Sequence, residues 1–176
     1  FGPNLKLKKQ NSLDLRPSSA GIFYSLKFKR TLQKELRSLQ GEDIREIGHR
    51  VVHGGGKFQK PLKINEENLK ELKEYNHLAP LHNPYNILGI ETCLEAYPEK
   101  KNTAVFDTEF FSNLPEISSN YPLPEDVKNE FGFKRFGFHG ISHEYASRQA
   151  ARKIKKPFNK LKIISCHLGG GSSMAA

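Results

Sequence analysis

Short runs of β-branched and apolar residues alternate along this sequence with longer stretches whose apolar residues keep helical spacing. The short runs predict strands at residues 47–53, 103–106 and 161–168. The longer stretches predict helices from Ser18 or Ser19 to Leu39, from Asn65 to Leu78, from Asn83 to just before Pro98, and from Ser142 to Lys155. Residues 1–17 are expected to be a loop or tail, residues 112–132 to be rich in loops, and residues 134–138 to be extended. Strands that alternate with helices indicate the α/β class.

The composition fits a folded chain and excludes several classes of protein. The chain has 176 residues, of which 36% are hydrophobic, and this is room for one well-packed domain or two small ones. No apolar run approaches the ~20 residues that cross a bilayer, and the first ten residues lack the apolar centre of a signal peptide. Two cysteines, Cys93 and Cys166, are too few for a disulfide framework, and free thiols favour the cytoplasm.

The positive charge is concentrated in the first third of the chain. The net charge is +9, and residues 1–60 contribute +8 of it. Such a segment can face nucleic acid, an anionic membrane surface or an anionic substrate, or it can be an ordinary solvated face. A nucleic-acid-binding module would need aromatic stacking platforms, whereas the few aromatic residues here, Phe23, Tyr24 and Phe28, are expected in a helix core.

Arg50 lies in a predicted strand that ends in histidine and glycine. A guanidinium fixed on a rigid strand can bind a carboxylate or a phosphate through two parallel hydrogen bonds, and glycines allow a ligand to approach the backbone. Alternatively, Arg50 forms a structural ion pair, and His49 and His53 are ordinary residues at the end of a strand. The sequence leaves both interpretations open.

Asp107 directly follows the predicted strand at residues 103–106. Ligands of α/β proteins gather at the carboxyl ends of strands, where a carboxylate is a frequent active-site group. A turn cap or helix cap is the alternative role for an aspartate at this position.

His139 and His143 are four residues apart, a spacing that would let both face one metal ion from a helix. The zinc-protease pattern requires Glu directly after the first histidine, and Gly140 stands there instead, so zinc is disfavoured. We expect His139 in a turn before the helix, where it donates a hydrogen bond to an anionic ligand. His143 is expected to have a structural role inside the helix.

The last predicted strand runs into three glycines followed by two serines. Successive backbone N–H groups in such a turn bind anions, and the absence of side chains lets phosphate oxygens reach them. The segment has neither the Gly-Lys-Ser/Thr ending of a Walker loop nor the spacing of a Rossmann fingerprint. A linker is the alternative. A phosphate-binding turn is favoured because the glycines follow a buried strand directly.

Five segments in a fixed order resemble the acetate kinase family, the acetokinase branch of the sugar kinase–actin–Hsp70 superfamily. They are residues 49–55, 78–84, 105–108, 136–143 and 166–171, within a resemblance that covers about residues 28–176. The resemblance implies an incomplete actin-like ATPase (ribonuclease H-like) fold, with most of a first lobe in residues 1–108 and the start of a second in residues 109–176. The implied reaction is reversible phosphoryl transfer from ATP to the carboxylate of acetate. A propionate or butyrate kinase and an inactive fragment of such a kinase are the alternatives.

The resemblance also implies roles for particular residues of this chain. Arg50 looks like the arginine that binds the acyl substrate, Asp107 like the essential catalytic aspartate, and His139 like the histidine that stabilises the transition state. The residues that resemble the apolar pocket for the alkyl end of the substrate are Val52, Leu81 and Phe138. The residues that resemble the phosphate loop for the nucleotide are His167, Leu168, Gly169, Gly170 and Gly171.

The resemblance implies Mg²⁺ with ATP as cofactor and a cytoplasmic homodimer at full length, with neither nucleic acid nor a membrane as partner. The chain departs from the family pattern at three positions. Gly170 replaces the usual Asn of the phosphate loop, Gly56 a common Glu, and Phe111 a common His. The family's opening Asn-x-Gly-Ser-Ser-Ser-x-Lys segment is missing. The adenosine site, a second arginine and a metal-linked glutamate are expected beyond Ala176, so no metal ligand is expected within these residues.

Overall fold

The computed structural model describes Gln10 and residues 22–176. The predicted helix start at Ser18 or Ser19, and the predicted loop at residues 1–17 apart from Gln10, lie outside the described residues. Helix α1 ends at Arg37, close to the predicted Leu39. The elements of the first part of the chain are α1 (Ile22–Arg37), β1 (Glu46–Val51), β2 (Leu62–Lys63), α2 (Glu66–Glu74), α3 (Asn83–Ala96) and β3 (Lys101–Phe106).

Strands β1 and β3 lie side by side and run parallel, and the two-residue strand β2 pairs antiparallel with the other edge of β3. The register of the parallel pair places Arg50 opposite Val105 and Val51 opposite Phe106. Helix α3 packs against β1 and against α1. Because neighbouring parallel strands end at the same edge of a sheet, the residues that follow β1 and β3 meet there.

A single apolar cluster joins this sheet to helices α2 and α3. The Phe58 and Phe106 rings stack in it at a centroid distance of 5.9 Å. Burial of each large apolar side chain contributes about 1.5–3 kcal/mol, so this cluster fixes the sheet against the helices. Its buried members are Val51, Phe58, Ile64, Leu69, Leu72, Ile87, Ile90, Ala104 and Phe106.

The second part of the chain consists of short helices, one longer helix and a hairpin. These elements are α4 (Glu116–Ser119), α5 (Glu125–Phe131), α6 (Gly140–Lys153), β4 (Ser165–Leu168) and β5 (Ser172–Ala175). Strands β4 and β5 pair antiparallel around the three glycines. The buried residues of α6 recur at three- and four-residue intervals and face β4 and the short 3₁₀ turn Glu109–Phe111. They are Gly140, His143, Ser147 and Ala151.

The α/β class and most predicted elements are confirmed, with corrections at element ends. Strand β1 ends at Val51 rather than at residue 53, because the N–H groups of the next two residues bind side chains of α3 instead of β3. The predicted strand at residues 161–168 begins only at Ser165, which pairs with Ala175 of β5. Helix α6 begins at Gly140, two residues before the predicted Ser142.

Residues 112–132 contain two short helices where loop was predicted. The prolines that suggested loop stand directly before them: Pro115 precedes α4 and Pro124 precedes α5. Proline is tolerated at a helix start, where its missing N–H would have no partner within the helix.

The predicted helix from Asn65 to Leu78 is α-helical only to Glu74 and continues as a 3₁₀ turn over Tyr75–Leu78. No helix among the described residues is long and apolar enough to cross a membrane.

Candidate active site

Arg50 and Asp107 meet at the common edge of the two parallel strands. Asp107 follows β3, and its backbone N–H donates to the Val51 carbonyl at 3.0 Å, which extends the ladder by one residue. Arg50 Nε lies 3.0 Å from Asp107 Oδ1, and Arg50 Nη2 lies 2.6 Å from Asp107 Oδ2. Because side chains alternate along a strand, the register places both groups on the same face of the sheet. The structure thus forms the ion pair that the sequence left as an alternative.

The two members of this pair differ sharply in exposure. The Asp107 side chain is 1% exposed and the Arg50 side chain is 57% exposed. A buried carboxylate needs a charged or hydrogen-bonding partner, and Arg50 supplies both through a two-point contact. The hydrogen bond to Asp107 is the main cause that raises the pKa of Arg50. Asp107 therefore holds Arg50 through Nε and Nη2, and Nη1 takes no part in this contact.

Two asparagines of α3 fix the chain where it leaves β1. Asn83 Oδ1 accepts from the His53 N–H at 3.1 Å, and Asn83 Nδ2 donates to the His53 carbonyl at 2.9 Å. Asn86 Oδ1 accepts from the Val52 N–H at 3.1 Å. Asn83 is fully buried, so its amide replaces a strand partner that the sheet does not offer here. The sequence placed Asn83 at the start of a helix, which the structure confirms with His82 as the cap, but its contact with His53 is tertiary and has no local signal.

The glycines after β1 serve packing rather than ligand approach. Gly54 and Gly55 are buried, and Gly55 has a φ of 64°. A Cβ at Gly55 would collide with the Tyr75 ring, and one at Gly54 would collide with the Phe58 carbonyl. His53 is 3% exposed; its Nδ1 accepts from the Gly55 N–H at 2.9 Å, so it shapes this turn. His49 pairs with the Asn102 side chain at 2.7 Å. Both histidines are structural here.

His139 stands at the N-terminus of α6 in a left-handed conformation, with φ 57° and ψ 23°. This conformation costs a non-glycine residue of order 1 kcal/mol and is found most often at functional sites. The next residue, Gly140, donates its N–H to the Asp107 carbonyl at 2.9 Å. A Cβ on Gly140 would collide with that carbonyl. The start of α6 is therefore docked directly on the residue that pairs with Arg50.

The hairpin brings His167 against His139. The two imidazole rings stack with centroids 4.0 Å apart and an interplanar angle of 17°. His139 Nδ1 lies 2.9 Å from Ser173 Oγ, and His167 Nδ1 lies 2.9 Å from Ser142 Oγ. A Cβ built on Gly171 would lie 3.4 Å from His139 Cε1 and 3.6 Å from His139 Nε2, so this edge of the ring lies beside the glycine turn.

Burial lowers the pKa of His139, and the charge of His167 lowers it further, with a smaller opposing effect from Asp107. Burial is also the main cause that lowers the pKa of His143. Both imidazoles are therefore neutral at pH 7, and each carries one N–H donor and one acceptor nitrogen. Because the charges of Asp107 and Arg50 both act on His139, the ion pair and the histidines belong to one electrostatic environment.

The glycine turn is the most open part of this site. Leu168, Gly169, Gly170 and Gly171 are exposed, and a Cβ on Gly170 would meet nothing within 4 Å. The Gly169 N–H donates to the Gly171 carbonyl at 3.2 Å, so the donors that an anion beside His139 could use are those of the other residues of the turn. The structure therefore brings together Arg50, Asp107, His139 and the predicted phosphate loop.

The residues of the predicted alkyl pocket form only a partly enclosed surface. Val52 is half-buried, and the Phe138 ring lies 5.5 Å from the adjacent His53 ring. Leu81 is 79% exposed in the turn before α3. A closed pocket around an alkyl group would need Leu81 to be covered.

His143 has the structural role that the sequence predicted, because it is 2% exposed and binds Ser165 and Ser173. Among the described residues, no group of three or more His, Cys, Asp and Glu side chains could hold a metal ion. Sequence reasoning noted hydroxyl residues after the glycines but did not assign Ser173 a histidine partner. The alternation of strand residues would have indicated it only once the pairing of β4 with β5 was known.

The sequence model of the acetokinase family matches residues 8–176. This chain belongs to the acetokinase family. Curated acetate kinases resemble it closely: that of Halalkalibacterium halodurans is 46% identical over 160 residues, which is 91% of this chain and 40% of the relative. That of Carboxydothermus hydrogenoformans is 50% identical over 141 residues, which is 80% of this chain and 35% of the relative. The chain thus spans at most about 40% of these relatives.

Two solved kinase structures superpose on this chain. The acetate kinase of Porphyromonas gingivalis superposes with a TM-score of 0.77 at 37% identity, over 83% of this chain and 39% of that protein. A propionate kinase from Francisella tularensis gives a TM-score of 0.74 at 38% identity, over 87% of this chain and 39% of that protein. The mixed α/β structure is therefore part of an actin-like ATPase fold, as the sequence predicted.

The structure explains one departure from the family pattern. Phe111 lies 5.7 Å from the His143 ring, and a Cβ at Gly137 would collide with the Phe111 ring. Phe111 therefore packs as an apolar ring against His143. Gly56 and Gly170 are exposed, and a side chain at either position would meet no neighbour within 4 Å.

Proposed function

We propose that this chain carries the acyl-substrate side, and the start of the nucleotide side, of an acetate kinase. The reaction is reversible phosphoryl transfer from ATP to the carboxylate of acetate, which gives acetyl phosphate and ADP. The observation that carries the proposal is the ion pair of the buried Asp107 with Arg50, which contacts the N-terminus of α6 beside His139 and the glycine turn. Residues 1–108 are proposed to belong to one lobe and residues 109–176 to the next.

The side chains of this site suit a carboxylate as the acceptor of the phosphoryl group. A carboxylate is already ionised at pH 7, so the site does not need a strong general base. It needs to bring two anions together and to stabilise charge on the transferring phosphoryl oxygens. Asp107 holds two nitrogens of Arg50, and the remaining donors of the guanidinium are available to orient the carboxylate of acetate. Asp107 is thus proposed to act through Arg50.

His139 is proposed to donate a hydrogen bond from Nε2 to an equatorial phosphoryl oxygen. This nitrogen is on the ring edge that lies beside the glycine turn, and its ring is fixed by stacking on His167. The turn formed by Gly169, Gly170 and Gly171 is proposed to bind nucleotide phosphates through its backbone N–H groups. The alkyl end of acetate would lie near Val52, Leu81 and Phe138.

We further propose that Mg²⁺ arrives as a complex with ATP. Both carboxylate oxygens of Asp107 already accept hydrogen bonds from Arg50, and the described residues form no cluster that fits a metal ion. No step is therefore assigned to the metal through residues of this chain. A cytoplasmic homodimer is proposed for the whole enzyme. The free thiols of Cys93 and Cys166 in this chain are compatible with a reducing compartment.

The test compares this chain with a hybrid kinase. In the hybrid kinase, this chain replaces the matching 40% of the H. halodurans acetate kinase. We expect acetate-dependent ADP release from the hybrid kinase and none from the 176-residue chain alone. A folded hybrid kinase that binds ATP but releases no ADP with acetate would contradict the proposal.

Propionate is the alternative substrate, and the structural match to a propionate kinase is the one observation that favours it. We expect kcat/KM of the hybrid kinase to be highest with acetate, lower with propionate and lowest with butyrate. A higher value with propionate would assign the chain to a propionate kinase and would leave the roles of Arg50 and His139 unchanged.

A further inference from the structure

Ser173 joins the two histidines of α6. It lies on β5 directly opposite His167 on β4, on the face of the hairpin that is turned towards α6. Ser173 Oγ is 2.9 Å from His139 Nδ1 and 2.8 Å from His143 Nε2. The neighbouring Ser172 is exposed on the opposite face of the hairpin. A single hydroxyl group thus bridges the proposed catalytic histidine and a buried one.

The buried end of this chain of contacts is closed by a second serine. His143 is 2% exposed, and its Nδ1 lies 2.8 Å from Ser165 Oγ. Ser165 is itself buried in β4. The order of the contacts is therefore Ser165, His143, Ser173, His139, from the interior of the protein to the glycine turn.

A hydroxyl group has one proton to donate, and a neutral imidazole has one N–H and one acceptor nitrogen. When His139 carries its proton on Nε2, its Nδ1 accepts from the hydroxyl of Ser173. Ser173 Oγ then accepts from Nε2–H of His143, whose Nδ1 accepts from the hydroxyl of Ser165. In this direction every contact has one donor and one acceptor, and the same holds when every proton is reversed, because a hydroxyl group both donates and accepts.

The opposite tautomer of His139 would reverse this order. Its Nδ1–H would donate to Ser173, and its Nε2 would present a lone pair to the glycine turn. A lone pair that faces phosphoryl oxygens repels them, whereas an N–H donor stabilises their charge. The other groups that act on His139 do not select between these tautomers through Nδ1, since His167 stacks on the ring face and Asp107 and Arg50 act through charge.

We infer that Ser173 is a positioning residue that holds the His139 ring at Nδ1 and, by donating its hydroxyl proton there, supports the Nε2–H tautomer that the phosphoryl site requires. The inference rests on the proposed function, in which His139 donates to the transferring phosphoryl group. Ser173 itself touches no substrate in this account and acts only through His139. Loss of such an outer partner of a site residue lowers activity about 10–100-fold.

The direct test is the tautomer of His139 in the 176-residue chain, read from long-range ¹H–¹⁵N correlation spectra at a pH where the ring is neutral. We expect the Nε2–H form in the unmodified chain and in the Ser172→Ala control. Ser173→Ala is expected to give a mixture with the Nδ1–H form, and Ser173→Thr, which keeps the hydroxyl, to retain Nε2–H. An Nδ1–H form in the unmodified chain, or an unchanged tautomer in Ser173→Ala, would overturn the inference.

The second readout is the turnover of the hybrid kinase. Ser173→Ala is expected to lower kcat about 10–100-fold and to change KM for acetate less than twofold, and Ser173→Thr to recover most of kcat. His139→Ala separates the two claims. If His139→Ala retains full kcat, the proposed function fails. If His139→Ala abolishes turnover while Ser173→Ala leaves both tautomer and kcat unchanged, only the inference about Ser173 fails.

Discussion

Two regions of the candidate site are stabilised in different ways. The ion-pair region, Arg50 and Asp107, consists of opposite charges at the end of a parallel strand pair, and its carboxylate is 1% exposed. The histidine region, His139 and His167 with their serine partners, consists of stacked rings and hydrogen bonds beside an exposed glycine turn. One region depends on charge and sheet register, and the other on groups that hydrogen-bond without a formal charge.

This difference predicts how each region responds to substitution. Removal of one member of a fully buried ion pair costs about 3–5 kcal/mol, and the cost is smaller here because Arg50 is half exposed. Loss of a hydrogen bond between neutral groups costs about 0.5–1.5 kcal/mol. The ion-pair region is therefore expected to tolerate almost no change, while the histidine region and its turn can be adjusted.

The largest effect is expected for Asp107→Asn in the hybrid kinase. The substitution removes the charge that holds Arg50, so turnover should be nearly abolished, with kcat about 10²–10³-fold lower. Asp43→Asn is the matched control, because Asp43 pairs with Arg45 and both are exposed. Steady-state ADP release measures both. Retention of most activity in Asp107→Asn would remove this residue from the mechanism.

Arg50→Ala should raise KM for acetate and lower kcat. Hydrogen bonds to a charged group contribute about 1.5–3 kcal/mol, which corresponds to a decrease of about 10–150-fold in kcat/KM. Arg45→Ala is the control, since Arg45 is an exposed arginine of the same segment. Initial rates at varied acetate measure the two constants. If both kept their original values, the role assigned to Arg50 would be wrong.

Gly140→Ala tests the contact that links the two regions. The added methyl group would collide with the Asp107 carbonyl, so the free energy of unfolding should fall by about 1–3 kcal/mol. Gly89→Ala in α3 is the matched control, because a Cβ there meets nothing within 4 Å. It should raise the free energy of unfolding by up to about 1 kcal/mol through helix propensity. Denaturant unfolding measures both, and equal effects would contradict the docking of α6 on Asp107.

Stability should fall in mild acid. Burial is the main cause that lowers the pKa values of four histidines in the folded chain. Below about pH 6.5 the unfolded chain binds protons that the folded chain excludes, so folding is favoured above this pH and weakened as pH falls through the lower folded values. The urea midpoint should be lower at pH 5.5 than at pH 7.5. An equal or higher midpoint at pH 5.5 would contradict this account. The histidines are His49, His53, His139 and His143.

The smallest effect is expected in the glycine turn. Gly170→Asn introduces the residue usual in the family, at a position where a side chain meets no neighbour and the backbone is not left-handed. One added neutral hydrogen bond of about 0.5–1.5 kcal/mol would lower KM for ATP about 2–10-fold. Gly56→Asn, at another open glycine position, is the control. An increase in KM for ATP would show that this turn does not bind the nucleotide as proposed.

The ion-pair region was accessible to sequence reasoning because its signals are local. An arginine near the end of one strand and an aspartate directly after another meet when the two strands are parallel neighbours and their register places both side chains on one face. The serine partners were not accessible in this way. Ser173 contacts His139 only because β5, a strand of four residues that the sequence did not predict, pairs in one particular register with β4.

The contacts of Asn83 and Asn86 with the residues after β1 could not be predicted either, because they too are tertiary contacts. Asn83 fits the pattern of a helix start, and its buried contact with His53 depends on how α3 packs against β1. One strand end was also overestimated, because apolar residues continue past Val51, where side chains of α3 replace the partner strand. The pattern of apolar and charged residues therefore predicted the elements and the charged site residues. The hydrogen-bond partners that hold those residues depend on contacts between distant elements.

A double-mutant cycle on kcat/KM for acetate tests the central claim, that Arg50 and Asp107 act as one unit. The three variants of the hybrid kinase are Arg50→Ala, Asp107→Asn and the combination of both. Residues that act as a unit are strongly non-additive, so the double variant should lose little more than the worse single variant. If the two losses instead multiply, the two residues act independently, and the proposal that Asp107 acts through Arg50 is wrong.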